Sequence, residues 1–465
     1  MKTILFIIIL LLSSITMEAQ EISGQWNGIL KVQGTQLRLV FNVTKNEKDY
    51  SSTMDSPDQG AKGIPITKTT FENSIIQFEI TNARIEYLGQ LKGDEIVGTF
   101  KQGGLEFPMT LSRKAIEKET INRPQEPSKP YSYYSEDVIF QNNKDKIALS
   151  GTLTLPKKEG VFPAVVLISG SGPQNRDEEL LGHKPFLVLA DHLTKNGIAV
   201  LRYDDRGVGE SKGNFKTASS ADFATDVESA IVYLKTRKEI NKKKIGLIGH
   251  SEGGLIAPMI ASKSKDISFI VLMAGTGIQG DQLLLLQQEL IARASGVPET
   301  EIKKSFELNK IIFDIVVKSN DEISLSTDLK NALNEMLKND AIIKIPSGMT
   351  KDEFISMQIN QISSPWMQYF LRYNPAFALE KVKCPVLAIN GEKDLQVPPK
   401  QNLAAIKNAL DKGGNKNVSI KELPNLNHLF QDCKTGAPDE YATIEQTFSS
   451  RALDEITQWL KLQSK

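Results

Sequence analysis

Gly249-His250-Ser251-Glu252-Gly253-Gly254 follows directly on the apolar run Ile245-Gly246-Leu247-Ile248 and leads into a small-residue stretch through Ala257. A serine between glycines at a strand-to-helix turn is a nucleophile elbow in sequence form. The turn crowds side chains on both sides of the serine, and glycine relieves the crowding. The hydroxyl then stands at a helix N-terminus, where backbone N–H groups can receive an oxyanion. To attack a carbonyl at neutral pH the hydroxyl needs a base of near-neutral pKa, which histidine supplies. Taken alone, the same run would also suit a serine that caps a helix after a strand.

The histidines narrow the choice. His183 and His192 precede the elbow, His250 lies inside it, and only His428 follows it. The chain order that goes with this elbow is Ser, then Asp or Glu, then His, so His428 is the base. The apolar run 384–390 ends in Gly391-Glu392-Lys393-Asp394, and the run 418–423 leads into Pro424-Asn425-Leu426-Asn427-His428. Asp394 is the acid expected to fix the imidazole tautomer and to stabilise the imidazolium. Asp432, four residues past the base, is its competitor. Each candidate stands just beyond a predicted strand, where an open α/β sheet forms its crevice. Two oxyanion donors are expected. One is the N–H of Glu252. The other comes from the loop Ser169-Gly170-Ser171-Gly172-Pro173 behind the strand 164–168, with Ser171 first and Gly170 next.

These pieces, together with Arg202-Tyr203-Asp204-Asp205-Arg206-Gly207-Val208-Gly209-Glu210-Ser211 and Asn390-Gly391-Glu392-Lys393-Asp394-Leu395-Gln396-Val397-Pro398, make residues 136–465 resemble an α/β-hydrolase. The resemblance is to the serine-esterase and serine-aminopeptidase-like (S33-type) group. Within it the chain is similar to secreted bacterial carboxylesterases that carry an extra N-terminal β domain. The sequence departs from many relatives at Ser169, where they open the oxyanion loop with His-Gly. The resemblance implies hydrolysis of small carboxylic esters, of short-chain acyl groups, through an acyl-serine intermediate and without a cofactor. A peptidase releasing N-terminal residues stays open beside this, with Glu252, Asp177 and Glu178 as candidates for an amine pocket. So does an acyltransferase on the same triad. A non-catalytic binding protein on this scaffold would have no reason to keep Ser251, Asp394 and His428 together.

The elements around these residues have to position them. Strand-like runs at 147–155, 162–168, 198–202, 245–249, 269–273, 385–390 and 418–423 alternate with helical stretches, such as 221–237 with Phe223, Val227, Ala230, Ile231 and Leu234 on one face. That alternation predicts an α/β fold with a largely parallel sheet covered on both sides. Between Met273 and Val386 lie roughly 110 residues, where a crossover needs about a dozen. Helical spacing over 281–294, 299–318 and 328–338 predicts a helical cap inserted at about 276–375. The aromatic-rich end of this cap, 364–370, either lines a substrate pocket or buries the cap on the core.

Ahead of this domain, residues 20–113 show period-two alternation at Leu37, Leu39, Phe41 and Val43, at Ile76, Phe78 and Ile80, at 85–91 and at 105–111. Asn, Asp and Gly turns separate the runs, which predicts a small antiparallel barrel or sandwich. Trp26 is expected in its core, and Asp55-Ser56-Pro57-Asp58-Gln59-Gly60 is expected to be a structural turn. Residues 114–135, with Pro124, Pro127 and Pro130, read as a stiff, solvated linker. Residues 1–19, with Lys2, an apolar run over 4–12 and Ala19, read as an export leader cleaved near Ala19, too short for a span of about 20 residues. The protein is therefore expected outside the cytoplasm, without stable membrane insertion.

Lys and Arg number 56 against 56 Asp and Glu, which gives no electrostatic case for nucleic acid. The four histidines are not spaced as ligands, so no metal site is expected. Cys384 should start its strand at the bottom of the sheet and Cys433 should lie at the top, about 20 Å away. A disulfide needs Cα atoms within about 7 Å, so two free thiols are expected. The sequence leaves the oligomeric state open.

Overall fold

The computed structural model describes residues 21–464, apart from 33–34, 48, 103–104, 118–121, 340–344 and 346–348. The leader read over 1–19 lies outside the described residues. The chain divides into two compact units near residue 118.

In the first unit the period-two runs become β1 (Gly24–Val32), β2 (Thr35–Lys45), β3 (Tyr50–Ser56), β4 (Ala61–Pro65), β5 (Lys68–Glu72), β6 (Ile75–Ile80), β7 (Ile85–Lys92), β8 (Glu95–Gln102) and β9 (Leu105–Ser112). They form one sheet in the order β4-β3-β2-β1-β9-β8-β7-β6-β5. The sheet curls on itself. Near its two ends the Ile66 N–H donates to the Ser52 carbonyl at 3.1 Å, and Thr69 Oγ1 donates to Ser52 Oγ at 3.0 Å. A curled single sheet is the barrel of the two expected alternatives. The inward positions close over Phe41 and Phe78, stacked at 4.7 Å, and Tyr87, 5.9 Å from Phe41. The Tyr87 hydroxyl sits 2.9 Å from the Ile96 carbonyl, so the buried phenol keeps a partner. Trp26 is buried in the core, donates from Nε1 to the Ile22 carbonyl at 2.8 Å and carries the Arg113 guanidinium 3.8 Å above its ring. The turn at 55–60 is structural: Asp58 holds the Arg38 backbone N–H and guanidinium, each at 2.8 Å.

The second unit contains β10 (Tyr134–Asn142), β11 (Ile147–Leu155), β12 (Phe162–Ile168), α1 (Pro185–Lys195), β13 (Ala199–Tyr203), α2 (Ser220–Thr236), β14 (Ile240–His250), α3 (Glu252–Ala261) and β15 (Ile267–Met273). After the inserted helices come β16 (Val386–Gly391), α10 (Pro399–Lys412), β17 (Val418–Leu423) and α11 (Ser450–Gln463). The sheet order is β10-β11-β13-β12-β14-β15-β16-β17. From β13 onward neighbours are parallel, while β10, β11 and β13 pair antiparallel. The α/β-hydrolase fold is therefore the observed one. The sheet opens one strand before Ile147, where the sequence reading began it. The apolar alternation of β10 starts only at Val138, and its first two residues, Tyr134 and Ser135, fall in the segment read as linker.

Both faces of the sheet are covered. Val227, Ala230 and Leu234 of α2 pack with Leu255 and Ile256 of α3 on one side. Phe186 and Leu189 of α1 pack with Leu453 and Ile456 of α11 on the other. Each fully buried side chain of this kind contributes about 1.5–3 kcal/mol. Much of the segment read as a solvated linker packs on this unit. Arg123 donates to the Ala442 carbonyl at 3.0 Å and to that of Ile444. Gln125 donates to the Phe448 carbonyl at 2.6 Å and accepts the Thr447 N–H at 2.8 Å. Long polar side chains here meet loop carbonyls that would otherwise be unpaired, so the segment docks.

Between β15 and β16 lie α4 (Gly280–Ala294), α5 (Glu299–Lys318), α6 (Glu322–Asn339), α7 (Lys351–Ile362), α8 (Pro365–Arg372) and α9 (Ala376–Leu379). Leu285, Phe313, Val316, Leu329 and Ile355 give these helices a core of their own. Thr350 and Glu353 close a capping box at the start of α7. Among the described residues no helix is long and apolar enough to cross a membrane. Cys384 and Cys433 are both free.

Candidate active site

The elbow forms because backbone comes very close to backbone around Ser251. A Cβ on Gly249 would lie 2.0 Å from the Gly253 carbonyl oxygen, and one on Gly253 would lie 2.1 Å from that of Ile168. Only glycine permits such approaches. Ser251 itself is held at φ 53°, ψ −114°, in the left-handed half of φ space, a strained state for a residue with a side chain. Its N–H donates to the Met273 carbonyl at 2.9 Å, and its own carbonyl accepts the Gly254 N–H at 2.9 Å. The strained residue is thus pinned between β15 and α3.

His428 and Asp394 meet across two loops. Asp394, just past β16, is fully buried at its side chain and lies 2.8 Å from His428 Nδ1 through Oδ2. Its other oxygen, Oδ1, accepts the N–H groups of Gln396 and Val397, each at 2.8 Å. A carboxylate only accepts, so Nδ1 carries the ring proton and Nε2 is left as an acceptor. Asp432 is occupied elsewhere: it pairs with Arg451 and accepts from Gln446.

The two oxyanion-loop candidates differ. A Cβ on Gly170 would lie 3.2 Å from the Ser251 Cβ, so the loop passes directly beside Ser251. The Gly170 N–H, however, is already given to Glu178 Oε1 at 2.7 Å. Ser171, the other candidate, is exposed. Glu252, the first residue of α3, has no intrahelical acceptor for its N–H. Ser169, the point of departure from His-Gly, donates from Oγ to Asp205 Oδ1 at 2.9 Å. Burial pushes the Asp205 carboxyl up to about 8, against the opposing pull of the Gln174 N–H and the Ser169 hydroxyl, with Glu252 and Glu178 raising it further.

Two features were not legible in the sequence. The Glu252 side chain is buried and accepts from Ser220 Oγ at 2.6 Å and from Trp366 Nε1 at 2.9 Å. Burial raises its pKa, and these two donors only partly offset that. Trp366 belongs to α8, so the inserted helices reach the residue next to Ser251. Of the aromatic run, Phe370 is buried, stacks on Trp366 at 5.0 Å and joins the sheet core. The second feature is His250, whose Nδ1 lies 2.9 Å from Glu178 Oε1 and whose Nε2 lies 2.9 Å from the His428 carbonyl oxygen. Asp177, the remaining candidate for an amine pocket, faces Arg202 at 3.2 Å. Among the described residues no group of three or more His, Cys, Asp or Glu could hold a metal ion.

Comparison with known proteins follows the same outline. The pattern of the serine aminopeptidase S33 family matches residues 184–432, which include Ser251, Asp394 and His428. Esterase EstD of Thermotoga maritima is 28% identical over 338 residues, 71% of this chain and 68% of EstD. An uncharacterised 31.7 kDa protein of Escherichia coli, from the traX-finO intergenic region, is 27% identical over 59% of this chain and 84% of its own. Among solved structures, an esterase of Pyrococcus furiosus superposes with a TM-score of 0.44 at 17% identity, over 75% of this chain and 100% of that one.

Proposed function

Since the chain belongs to the serine aminopeptidase S33 family of α/β-hydrolases, we propose that it cleaves carboxylic esters through an acyl-serine intermediate. The buried pair of His428 and Asp394, 2.8 Å apart, carries this reading. It supplies a base of fixed tautomer, on loops that follow neighbouring parallel strands. His428 Nε2 takes the Ser251 proton as Oγ attacks the ester carbonyl. The N–H groups of Glu252 and Ser171 receive the oxyanion. His428 then gives the proton to the leaving alkoxide, and the C–O bond breaks. Water repeats the sequence, and the carboxylic acid leaves.

The protein is a carboxylic ester hydrolase in this reading, with small esters of short-chain acids as substrates. The aminopeptidase alternative lacks support from its own candidate acids. Glu252 accepts from Ser220 and Trp366, Glu178 bonds to His250 and Gly170, and Asp177 faces Arg202. Residues 1–19 are taken as an export leader, which mass spectrometry of secreted protein tests by finding a mature N-terminus at or near Gln20. A fluorophosphonate probe tests the nucleophile. It should label wild-type protein on the peptide that contains Ser251, and a panel of p-nitrophenyl esters should be turned over in preference to aminoacyl p-nitroanilides. Folded protein that takes no label, or that prefers the anilides, overturns the reading.

A further inference from the structure

We propose that His250 and Glu178 form a positioning clamp, in which one ring beneath the nucleophile fastens the loop of the base and the loop of the oxyanion donor to each other. The inference rests on the triad reading above and goes beyond it. Three loops meet at this ring. His250 closes β14 and precedes Ser251. Its Nε2 bonds to the main-chain oxygen of His428, beyond β17. Its Nδ1 bonds to Glu178 Oε1, and the same oxygen accepts the Gly170 N–H in the loop after β12. All of this is buried: His250 is 5% exposed, Glu178 4% and His428 3%.

The protons can be placed. A carbonyl oxygen only accepts, so Nε2 of His250 carries hydrogen. Glu178 Oε1 already accepts the Gly170 N–H, so Nδ1 donates to it as well. Burial works against a charged ring, but the charge of Glu178 and its hydrogen bond outweigh it and raise the His250 pKa above the ordinary value. Asp394, beyond β16, acts in the same direction. Glu178 also faces Asp205, which feels the charges of both Glu178 and Glu252, and on the His428 side the Phe430 ring lies 6.4 Å from His250. With both nitrogens committed as donors, His250 cannot act as a base toward Ser251. The two imidazoles lie 4.7 Å apart yet have separate tasks: His428 moves protons and His250 holds position. A displacement of about 1 Å in a catalytic group costs about 10²-fold in rate, which is why such a tie matters.

The two nitrogens can be tested separately. In His250→Gln the amide reaches the position of Nε2 and keeps the donor to the His428 carbonyl while losing Glu178. In His250→Asn the amide reaches the position of Nδ1 and keeps Glu178 while releasing the base loop. Glu178→Gln keeps the shape and removes the charge. With p-nitrophenyl acetate, His250→Asn should lower kcat by about 10²-fold with KM within about threefold of wild type. Fluorophosphonate labelling should slow in parallel. His250→Gln should recover about tenfold of that loss, and Glu178→Gln should lower kcat by about tenfold or more. Two results overturn the proposal: kcat within about threefold of wild type in folded His250→Asn, or a fall in kcat that only tracks a fall in Tm and that Gln does not rescue. Substantial activity in Ser251→Ala would instead reject the triad, whatever the His250 variants do.

Discussion

Replacing Asp394 with Asn tests the proposed catalytic pair, because the structure dictates which way the new amide must face. Asp394 Oδ1 accepts two backbone N–H groups, from Gln396 and Val397, at 2.8 Å each. An amide NH₂ cannot accept them, so the Asn oxygen stays on that side and the NH₂ turns toward His428. The ring must then accept at Nδ1, which moves its proton to Nε2 and leaves no acceptor for the Ser251 hydroxyl. Flipping the amide would restore the tautomer but leave the buried Val397 N–H and the half-buried Gln396 N–H without their acceptor, at about 1–3 kcal/mol each. That total of about 2–6 kcal/mol corresponds to a fall in kcat of about 30-fold to 10⁴-fold. Loss of the charge facing the imidazolium adds to it, so the expected value is about 10⁴-fold. The assay is steady-state hydrolysis of p-nitrophenyl acetate at pH 7.5 on protein shown to be folded by circular dichroism. Asp432→Asn is the control: its carboxylate pairs with Arg451 at the surface, and its loss should cost under about tenfold. A fall of less than about 30-fold in Asp394→Asn, or a larger one in Asp432→Asn, refutes the reasoning.

Other expectations follow from particular contacts. Ser251→Ala should lower kcat by about 10⁴-fold or more with the fold intact, and a tenth of wild-type activity in pure protein would rule out the assignment. His183 is fully buried, bonded to the Tyr441 carbonyl and the Thr447 hydroxyl, and burial lowers its pKa from 6.5 to about 4. The unfolded chain therefore binds the extra proton first, so stability present above pH 6.5 is lost as pH falls toward 4, by about 3 kcal/mol. Urea unfolding of wild type and His183→Gln at pH 7 and pH 4 measures this, and equal pH dependence in the two would contradict it. Phe41→Ala should destabilise the first unit by about 3–5 kcal/mol and leave ester turnover within about twofold, since every proposed catalytic residue lies in the second unit. Loss of activity in step with unfolding of the β unit would show that this unit shapes the site.

What was legible in the sequence was local. The β16 and β17 runs are dense in β-branched residues and end in recognisable loops, so the expected strands fall within a residue or two of the observed ones. The elbow was legible because glycine is required where a Cβ would strike backbone. The pairing of Asp394 with His428 was expected from the loops that end β16 and follow β17. β10 was missed because it is an edge strand whose apolar positions begin halfway along. The 114–135 segment looked solvated because its docking rests on Arg123 and Gln125, side chains that give no apolar signal. The bond from the Gly170 N–H to an acid eight residues on had no signal in the sequence. Glu178 precedes His250 by 72 residues. No periodicity connects two polar side chains that meet only when the sheet has formed.

The inserted helices leave and rejoin the sheet at strands that are direct neighbours, with Met273 opposite Ile389 and Ile270 opposite Val386. Whatever lies between, the entrance and the exit are fixed by hydrogen bonds of the sheet. Closing a flexible connection costs only about 0.6 kcal/mol more for each doubling of its length. That cost applies to the connections between the helices, since the layer itself keeps a packed core of Leu285, Phe313, Val316, Leu329 and Ile355, while Ser251 and Asp394 stand at strand ends outside it. That makes β15 and β16 a socket from a breeder's point of view. Changes in connection length there leave both strand ends in place, and the Trp366 donor to Glu252 and the packing of Phe370 on the sheet core are contacts the layer must keep.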